Sequence, residues 1–473
     1  MDSYAILLTT HVLTVPIAVG HILLFKEEPR GAFGWIATSL LLPVGGPCLY
    51  ALFGINRIRM RARKLTEKGH TSLTLDAHRL SGNRVDLQSV PVELSALNET
   101  AQRLTRLPVL DGNHFDLLRN GDEALPAMLE AIDAATQSIC MTTYIMRADS
   151  MGRRFCQALV AAAGRGVTVR LLIDGVGCLL SRRHIEQWLK GSDVQLAVFL
   201  PPRLFPPSLH VNLRDHRKLL LVDGRTGFVG GMNINEKNLN RADIRNPIQD
   251  LHFQVSGPIL NQLREVFCEE WAFTTGEHPE LPDALPLDTG ANALCRVIAD
   301  GPSLEQDRLA TLLFAAIAVA RESIVIITPY FLPSRELTAA LAGAALRGVD
   351  VTIIIPQKLD RVGPQWARSK VLPALLRRGV RILTQPPPFA HTKLLLIDSQ
   401  YAVVGSANID PRSLRLNFEL GVEVYRSDAV TRLAMYCDDL FKVCTPITLA
   451  ELEARSLAVR LRDGMAWLAS PYM

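Results

Sequence analysis

The sequence predicts an α/β protein of two duplicated α/β/α halves that share one active site, preceded by a two-helix transmembrane hairpin. Two observations predict the duplication: an eight-residue pattern occurs twice, and the helix and strand patterns before it recur in the same order. A third observation predicts the hairpin, since two long N-terminal segments lack acidic residues, lysine and arginine.

The hairpin is predicted over residues 1–65. Residues 4–25 contain no acidic or basic residues apart from His11 and His21. Residues 32–53 contain no charged residue at all. Each 22-residue segment would extend about 33 Å as a helix, close to the thickness of the hydrocarbon layer. A pair of buried core helices is the alternative interpretation.

A basic flank follows the second segment. It consists of Arg57, Arg59, Arg61, Arg63 and Lys64. Arginine and lysine next to a span favour the cytoplasmic side, so we expect a multi-pass protein whose catalytic body faces the cytoplasm. The flank can also attract anionic lipid headgroups. A net charge of +4 is too small to indicate nucleic-acid binding, and the eight scattered cysteines have no spacing typical of zinc or a disulfide framework.

The catalytic body is predicted to be a gene duplication. Residues 66–110 form a predicted linker, 111–275 the first half, 276–290 a connector rich in Pro, Glu and Asp, and 291–473 the second half. Two segments of the first half match two of the second: Ile132–Tyr144 with Ile317–Tyr330, and Arg165–Ile173 with Arg347–Ile355. Each half follows a β–α–β order, so each should form its own α/β unit.

The repeated pattern is His-x-Lys-x-x-x-x-Asp. Its residues are His216, Lys218 and Asp223 in the first copy, and His391, Lys393 and Asp398 in the second. Because side chains alternate along a strand, the His and Lys of one copy point to the same face. The apolar run that follows predicts a strand buried between helical layers. A single copy could merely decorate a strand end, but two copies in register are very unlikely to arise by chance.

The polar residues of the two copies suit a phosphodiester substrate. A glycine-containing turn after each copy brings Asn233 or Asn408 towards the same pocket, and Ser406 lies beside the second. Lysines neutralise phosphate oxygens, while amides and a hydroxyl donate hydrogen bonds to them. One imidazole can attack phosphorus while the other protonates the departing alcohol. The positive charge comes from lysines, so the predicted site needs no metal and no other cofactor.

Two acids are candidates for orienting the imidazoles. A histidine used in catalysis should have its second ring nitrogen held by a carboxylate. Asp250, in Gln-Asp-Leu-His-Phe, and Glu419, in Asn-Phe-Glu-Leu, follow the two copies at suitable positions. The alternative for either acid is a solvated or helix-capping carboxylate.

With these motifs the sequence resembles the phospholipase D superfamily, in which two such motifs meet at one site. The resemblance implies that His216 is the nucleophile, that His391 is the general acid and base, and that Lys218, Lys393, Asn233 and Asn408 bind phosphate. It also implies structural roles for Asp223 and Asp398, and orienting roles for Asp250 and Glu419. This chain has Ile-Gln-Asp where the family commonly has Trp-Arg-Asp before the first of these acids.

Over nearly the whole chain the sequence is similar to bacterial cardiolipin synthases. The similar segments are residues 28–35 and 42–54 of the hairpin, 212–218 around the first motif, and 405–419 around the second. This resemblance implies transfer of a phosphatidyl group from one phosphatidylglycerol to another, giving cardiolipin and glycerol through a phosphatidyl-histidine. It implies phospholipids and the bacterial inner membrane as partners, and no nucleic acid.

Other functions remain open from the sequence alone. They are a hydrolytic phospholipase D or another phosphatidyltransferase of the superfamily, a nuclease, and a non-enzymatic membrane scaffold. Phosphatidylethanolamine as a second donor is compatible with the residues, and the sequence predicts no particular oligomeric state.

Overall fold

The computed structural model describes residues 3–26, 29–55, 90–202, 213–241, 243–285, 293–301 and 307–470. The predicted basic flank and residues 66–89 of the predicted linker lie outside the described residues. The described chain forms an N-terminal helical unit, up to residue 55, and a larger α/β unit that begins at residue 90.

The N-terminal unit contains one long apolar helix. Its helices are α1 (Ser3–Phe25), α2 (Pro29–Leu41) and α3 (Gly45–Leu49), and a π-helical turn over Tyr50–Gly54 follows. Among the described residues, α1 is the helix long and apolar enough to cross a membrane. It packs against α2, and Nδ1 of its His21 lies 2.7 Å from the hydroxyl of Tyr50. The first predicted span is therefore one continuous helix.

The second predicted span is not continuous. Helix α2 ends at Leu41, and Val44 adopts a left-handed backbone conformation with φ of 59° before α3 begins. Pro43 causes this break, because proline has no N–H to donate and disfavours helical geometry in the residue before it. The prediction of an unbroken helix over residues 32–53 is wrong for this reason, and the hairpin is present only in part.

The larger unit is built on an extended mixed sheet and a small two-stranded sheet. The strands are β1 (Leu110–Arg119), β2 (Ser138–Thr143), β3 (Thr168–Asp174), β4 (Gln195–Phe199), β5 (Lys218–Val222), β6 (Thr226–Gly230), β7 (Ile248–Gln249), β8 (Leu251–Ser256), β9 (Ala293–Asp300), β10 (Ser323–Ile327), β11 (Asp350–Pro356), β12 (Arg381–Gln385), β13 (Phe389–Ala390), β14 (Leu394–Ile397), β15 (Tyr401–Gly405), β16 (Glu419–Tyr425) and β17 (Thr445–Pro446).

Helices flank the sheet. They are α4 (Ser95–Thr105), α5 (Asn120–Ala134), α6 (Ser150–Gly164), α7 (Arg182–Leu189), α8 (Ile259–Thr275), α9 (Arg308–Val319), α10 (Arg335–Leu346), α11 (Val362–Leu376), α12 (Pro411–Arg415), α13 (Asp428–Val443), α14 (Leu449–Glu453) and α15 (Leu457–Leu468), with a short 3-10 helix at Glu236–Asn238.

The strand order shows the duplication directly. Fifteen strands follow the order β17-β12-β11-β10-β14-β15-β16-β9-β1-β8-β6-β5-β2-β3-β4. In the second half the sheet runs β9-β16-β15-β14-β10-β11-β12, and in the first half it runs β1-β8-β6-β5-β2-β3-β4. When the seven strands of each half are numbered in chain order, these two orders are the same. The halves join through the antiparallel pair β1–β9, where Leu110 lies opposite Cys295. The predicted duplicated α/β fold is confirmed.

Each half buries its own apolar core. Phe155 and Phe228 belong to the core of the first half, and Leu312 and Ile353 to that of the second. The motif strands β5 and β14 are buried along their whole length, as their apolar runs predict. A rigid strand between helical layers thus carries each motif.

Part of the predicted linker is structural. Helix α4 lies within residues 66–110, and its Leu97 and Ala101 are buried in the core of the second half together with Leu94. These apolar residues recur at three- and four-residue intervals, which places them on one face of a helix. The segment from residue 90 to 110 is therefore part of the α/β unit.

Candidate active site

One cavity of about 850 Å³ collects residues from both halves of the α/β unit. His216 and Asn233 from the first half line it, together with His391 and Asn408 from the second. Each of these side chains is mostly buried in the protein. The structure thus brings both motif histidines and both predicted asparagines to the same space.

Backbone hydrogen bonds at the two motif histidines connect one half to the other. The N–H of His216 donates to the carbonyl of Phe418 over 2.9 Å, and the N–H of His391 donates to the carbonyl of Gln249 over 2.7 Å. The residue after each of these acceptors is one of the two predicted acids. The same arrangement therefore occurs twice, related by the duplication.

Each histidine is paired with the acid of the other half. Nδ1 of His216 lies 2.9 Å from Oε2 of Glu419, and Nδ1 of His391 lies 2.8 Å from Oδ2 of Asp250. A carboxylate at Nδ1 holds the proton there and leaves Nε2 of each ring free to react. The geometry suits one imidazole that attacks and a second that transfers protons.

Glu419 is held as a carboxylate by several donors. The hydroxyl of Ser406 donates to Oε2, and the amide of Asn417 donates to Oε1 over 3.2 Å. Burial alone would raise the pKa of Glu419, but His216 and Lys218 outweigh burial and lower that pKa to about 2. Glu419 therefore stays ionised at any pH near neutrality.

The hydrogen bonds of Ser406 differ from the expected ones. Its hydroxyl was expected to donate to the substrate phosphate, yet it donates to Glu419 and accepts from the N–H of Leu420 over 3.0 Å. The residue is fully buried. A hydroxyl has a single proton to donate, and in this structure that proton goes to Glu419, so we interpret Ser406 as a residue that positions Glu419.

Asp250 plays the matching role in the other pair. Its Oδ1 accepts from the N–H of Leu251 over 2.8 Å while Oδ2 faces His391. Burial would raise the pKa of Asp250, but the charges of His391 and Lys393 lower that pKa instead. In the first half Gly231 occupies the position that Ser406 has in the second, and a Cβ there would lie 3.1 Å from Asp250.

Burial shifts the basic groups towards their neutral forms. It lowers the pKa of His216 to about 4, with Glu419 opposing the shift and Lys218 adding to it. Burial also lowers the pKa of His391, and Lys393 adds to that shift. His216 is therefore neutral, as a nucleophile must be.

The two motif lysines are buried beside their histidines. The ammonium group of Lys218 donates to the carbonyl of His216, and that of Lys393 to the carbonyl of His391. Burial lowers the pKa of Lys218 to about 7 and that of Lys393 to about 8, although nearby carboxylates oppose this. An anionic substrate would restore the charge of both lysines, because opposite charges favour the ionised form.

The asparagines differ in their hydrogen bonds. Oδ1 of Asn233 accepts from the N–H of Ile145 over 3.1 Å, which leaves its NH₂ group for the cavity. Oδ1 of Asn408 is buried and has no hydrogen-bond partner within the described part of the chain. Both residues can reach a ligand in the cavity.

The motif aspartates lie at the far ends of their strands. The carboxylate of Asp223 accepts from the backbone N–H groups of Thr136, Gln137 and Ser138 over 2.7 to 2.9 Å. That of Asp398 accepts in the same way from three consecutive N–H groups, those of residues 321–323. Neither aspartate lines the cavity. They tie each motif strand to the loop that begins the neighbouring strand.

Tyr144 is a site residue that the sequence analysis missed. Its ring packs edge-on against His216 with centroids 4.9 Å apart, and Nζ of Lys218 lies 5.3 Å from the ring centre. Thr143 and Thr328 make the same hydrogen bond to the residue two positions later, so Tyr144 corresponds to Pro329 and not to Tyr330. The aromatic neighbour of the second-half histidine comes from a different position, since the ring of Phe389 lies 5.9 Å from that of His391.

Cationic side chains surround the cavity. They are Arg147, Arg214, Lys237, Lys358, Arg361 and Arg412, and the carboxylates on the lining are Asp360 and Asp410. The described residues contain no cluster of His, Cys, Asp or Glu suited to a metal ion. The cavity is therefore electropositive and suits an anion larger than one phosphate.

Comparisons with known sequences agree on one family, and a comparison with a solved structure shows the fold. The family described as "Cardiolipin synthase, PLD-like domain" matches residues 128–271 and 313–441. The chain is 32% identical over 463 residues to cardiolipin synthase 1 of Bacillus anthracis, covering 95% of this chain and 90% of the relative. It is 33% identical over 424 residues to cardiolipin synthase A of Pseudomonas fluorescens, covering 87% and 86%. The crystal structure of phosphatidylserine synthase from Haemophilus influenzae has the same fold, with a TM-score of 0.62 at 16% identity over 80% of this chain and 100% of that one.

Proposed function

The chain belongs to the family of cardiolipin synthases with phospholipase D-like domains, and we propose that it joins two phosphatidylglycerol molecules through a phosphatidyl-histidine intermediate. It is a phosphatidyltransferase of phospholipid biosynthesis. The observation that carries the proposed mechanism is the pair of crosswise histidine–carboxylate contacts around one cavity.

In the first step Nε2 of His216 attacks the phosphorus of the donor lipid. The bond from phosphorus to the glycerol oxygen breaks, and His391 gives its proton to that oxygen, so that glycerol leaves. The product is a phosphatidyl group on His216. Glu419 at Nδ1 stabilises the positive charge that grows on the attacking ring.

In the second step a headgroup hydroxyl of another phosphatidylglycerol takes the place of glycerol. His391, now neutral, removes the hydroxyl proton as the oxygen attacks phosphorus, and the bond to His216 breaks. One phosphodiester replaces another, so the free-energy change is small. The task of the protein is to position the reactants and to exclude water, because water at this step would give phosphatidic acid.

The phosphate oxygens would be held by Lys218, Lys393, Asn233 and Asn408. His391 must carry a proton at the start, whereas its burial lowers its pKa. A phosphodiester anion bound beside it raises that pKa again, since a nearby negative charge favours the ionised ring. Substrate binding would therefore prepare the acid.

We place the enzyme in the bacterial inner membrane with the α/β unit on the cytoplasmic side. The apolar length of α1 and the five basic residues between 57 and 64 support this topology. The region from α2 to Gly54 would return the chain to the side from which α1 entered.

A product analysis tests the proposed function. Purified protein in phosphatidylglycerol vesicles should form cardiolipin and glycerol in equal amounts, and His216→Ala should form neither. Formation of phosphatidic acid alone would make the protein a hydrolytic phospholipase D, and cleavage of DNA by the wild type but not by His216→Ala would make it a nuclease. Parallel reactions with added phosphatidylethanolamine identify any second donor.

A further inference from the structure

The helix α15, near the C-terminus, carries its apolar side chains outwards. Leu457, Leu461, Met465 and Leu468 recur at four- and three-residue intervals and therefore share one face. Their exposed fractions are 71%, 60%, 72% and 71%. A surface helix of a globular protein normally turns such a stripe towards the core, so this helix is inverted.

The inward face of α15 carries a buried charge between the half-buried Val459 and Ala466. Asp463 is only 3% exposed and pairs with Arg455 over 2.8 Å and with Arg462 over 2.7 Å. The guanidinium of Arg462 also lies 4.4 Å from the ring centre of Trp366 in α11. Turning the stripe inwards would separate these charges or bury them without partners, which costs more than it gains. The outward direction of the stripe is thus fixed by its ion pairs.

The stripe adjoins the active-site cavity through a single helix. Helix α15 packs along α11, and α11 begins at Val362, which is 57% exposed. Arg361 and Pro364, at the start of α11, line the cavity. One helix therefore separates the apolar stripe from residues that line the cavity.

The chemistry around the stripe matches a lipid surface. Arg460 is exposed on the same helix, and Trp467 is 40% exposed near its end. Leucine and methionine that enter the acyl boundary, with arginine and tryptophan at headgroup level, are typical of helices that lie in a membrane interface. Anionic headgroups complement Arg460 and the cations on the cavity lining.

We propose that the outward face of α15 inserts into the interface of an anionic bilayer and holds the cavity at headgroup depth. The inference rests on the proposed function, because it assumes that the substrates are lipids of that bilayer. Docking would let a phospholipid move its headgroup into the cavity while its acyl chains stay in the membrane.

Spin labelling tests the contact directly. Cysteines replace Leu461 and, as a matched exposed control, Leu346 (73% exposed), in full-length protein with Cys48→Ser and Cys444→Ser to remove the accessible thiols. In phosphatidylglycerol vesicles, the label at position 461 should shift towards collisions with oxygen and away from a water-soluble nickel complex. The label at 346 should not shift. The proposal is wrong if both labels behave alike, or if spin–spin broadening at 461 rises with protein concentration, which would identify a second copy as the partner.

A kinetic comparison separates docking from catalysis. The double variant Leu461→Ser, Met465→Ser should make cardiolipin on the order of tenfold more slowly in bilayers, because lost apolar contact weakens interfacial binding. With dispersed short-chain phosphatidylglycerol it should match the wild type, as should Leu346→Ser in both assays. Equal loss in both assays would overturn the proposal. Wild-type protein that makes no cardiolipin in either assay would instead refute the proposed function.

Discussion

Nδ1 of His216 lies 2.9 Å from Oε2 of Glu419, although the two residues come from different halves of the chain. His391 and Asp250 form the reciprocal pair at 2.8 Å. Neither half alone contains a histidine together with the carboxylate that orients it. The proposed active site therefore requires both halves, which the antiparallel β1–β9 pair joins.

The first prediction concerns this crosswise pair. Glu419→Gln removes the charge that stabilises the imidazolium of His216, so kcat should fall on the order of 10- to 100-fold. The burst of glycerol release in the first turnover should slow with it. Asp250→Asn is the matched control, which should slow glycerol release and cardiolipin formation together by impairing His391. A wild-type glycerol burst in Glu419→Gln would contradict the assigned pairing.

Ser406 provides the second prediction. The hydroxyl of Ser406 donates to Glu419, so Ser406→Ala removes one hydrogen bond to a charged group. The variant should therefore lower kcat by about tenfold and leave the KM for phosphatidylglycerol nearly unchanged. Asn408→Ala should instead raise KM, since that amide faces the cavity. Steady-state kinetics of both variants make the comparison. A raised KM in Ser406→Ala would instead indicate that this hydroxyl binds the substrate phosphate.

The third prediction is the pH profile. His216 must be neutral, so kcat/KM should fall as the pH drops through about 4, to which burial lowers the pKa of its ring. His391 must carry a proton and Lys218 a charge, and burial lowers the pKa of both groups, that of Lys218 to about 7, so kcat/KM should also fall as the pH rises towards and past that value. The alkaline limb of kcat should lie at higher pH, because bound phosphate raises the pKa of each cation.

Lys218→Arg is the control for that assignment. Arginine keeps its charge throughout this range, so the contribution of position 218 to the alkaline limb should disappear. The fall that remains should come from His391 and, at higher pH, from Lys393, whose pKa burial lowers to about 8. A kcat/KM that rises steadily from pH 7 to pH 9 in the wild type would be incompatible with charged lysines in the site.

Asp223 is predicted to matter for stability. Asp223→Asn replaces an acceptor of three backbone N–H groups with an amide that can turn only one oxygen towards them, so the free energy of unfolding should fall by about 2–3 kcal/mol. Protein that remains folded should keep its activity. Asp133→Asn, at an exposed helix position, is the control and should melt like the wild type. Thermal melting in detergent makes the measurement, and loss of activity at unchanged stability would assign Asp223 a chemical role.

The sequence predicted what depends on repetition and on local patterns. The two His-Lys strands, their shared pocket and the duplicated α/β order all follow from residues that recur at fixed spacing. The crosswise pairing could not be predicted, because the assignment of Glu419 to His216 depends on strand crossings between residues some 200 positions apart. The hydroxyl of Ser406 could bind phosphate, so the sequence suggested that role. Only the structure shows that this hydroxyl is buried and donates to Glu419.

Local chemistry explains the remaining differences. From composition alone, residues 32–53 were predicted to form one membrane span. The helix ends at Leu41 because Pro43 has no N–H group to continue it. Tyr144 escaped notice because it was matched with Tyr330, whereas the two halves align here without a gap and place Pro329 at the position equivalent to Tyr144. The inverted face of α15 has a normal amphipathic period, so its outward direction becomes visible only from the buried ion pairs of Asp463.

The most direct test of the mechanism is to trap the intermediate. Full-length protein is mixed with phosphatidylglycerol, quenched within the first turnover at alkaline pH to protect an acid-labile phosphohistidine, and digested for mass spectrometry. We expect a phosphatidyl adduct on His216 that forms with the release of glycerol and decays as cardiolipin appears, and no adduct in His216→Ala. An adduct found on His391 alone, or cardiolipin formed by His216→Ala at the wild-type rate, would contradict the proposed mechanism.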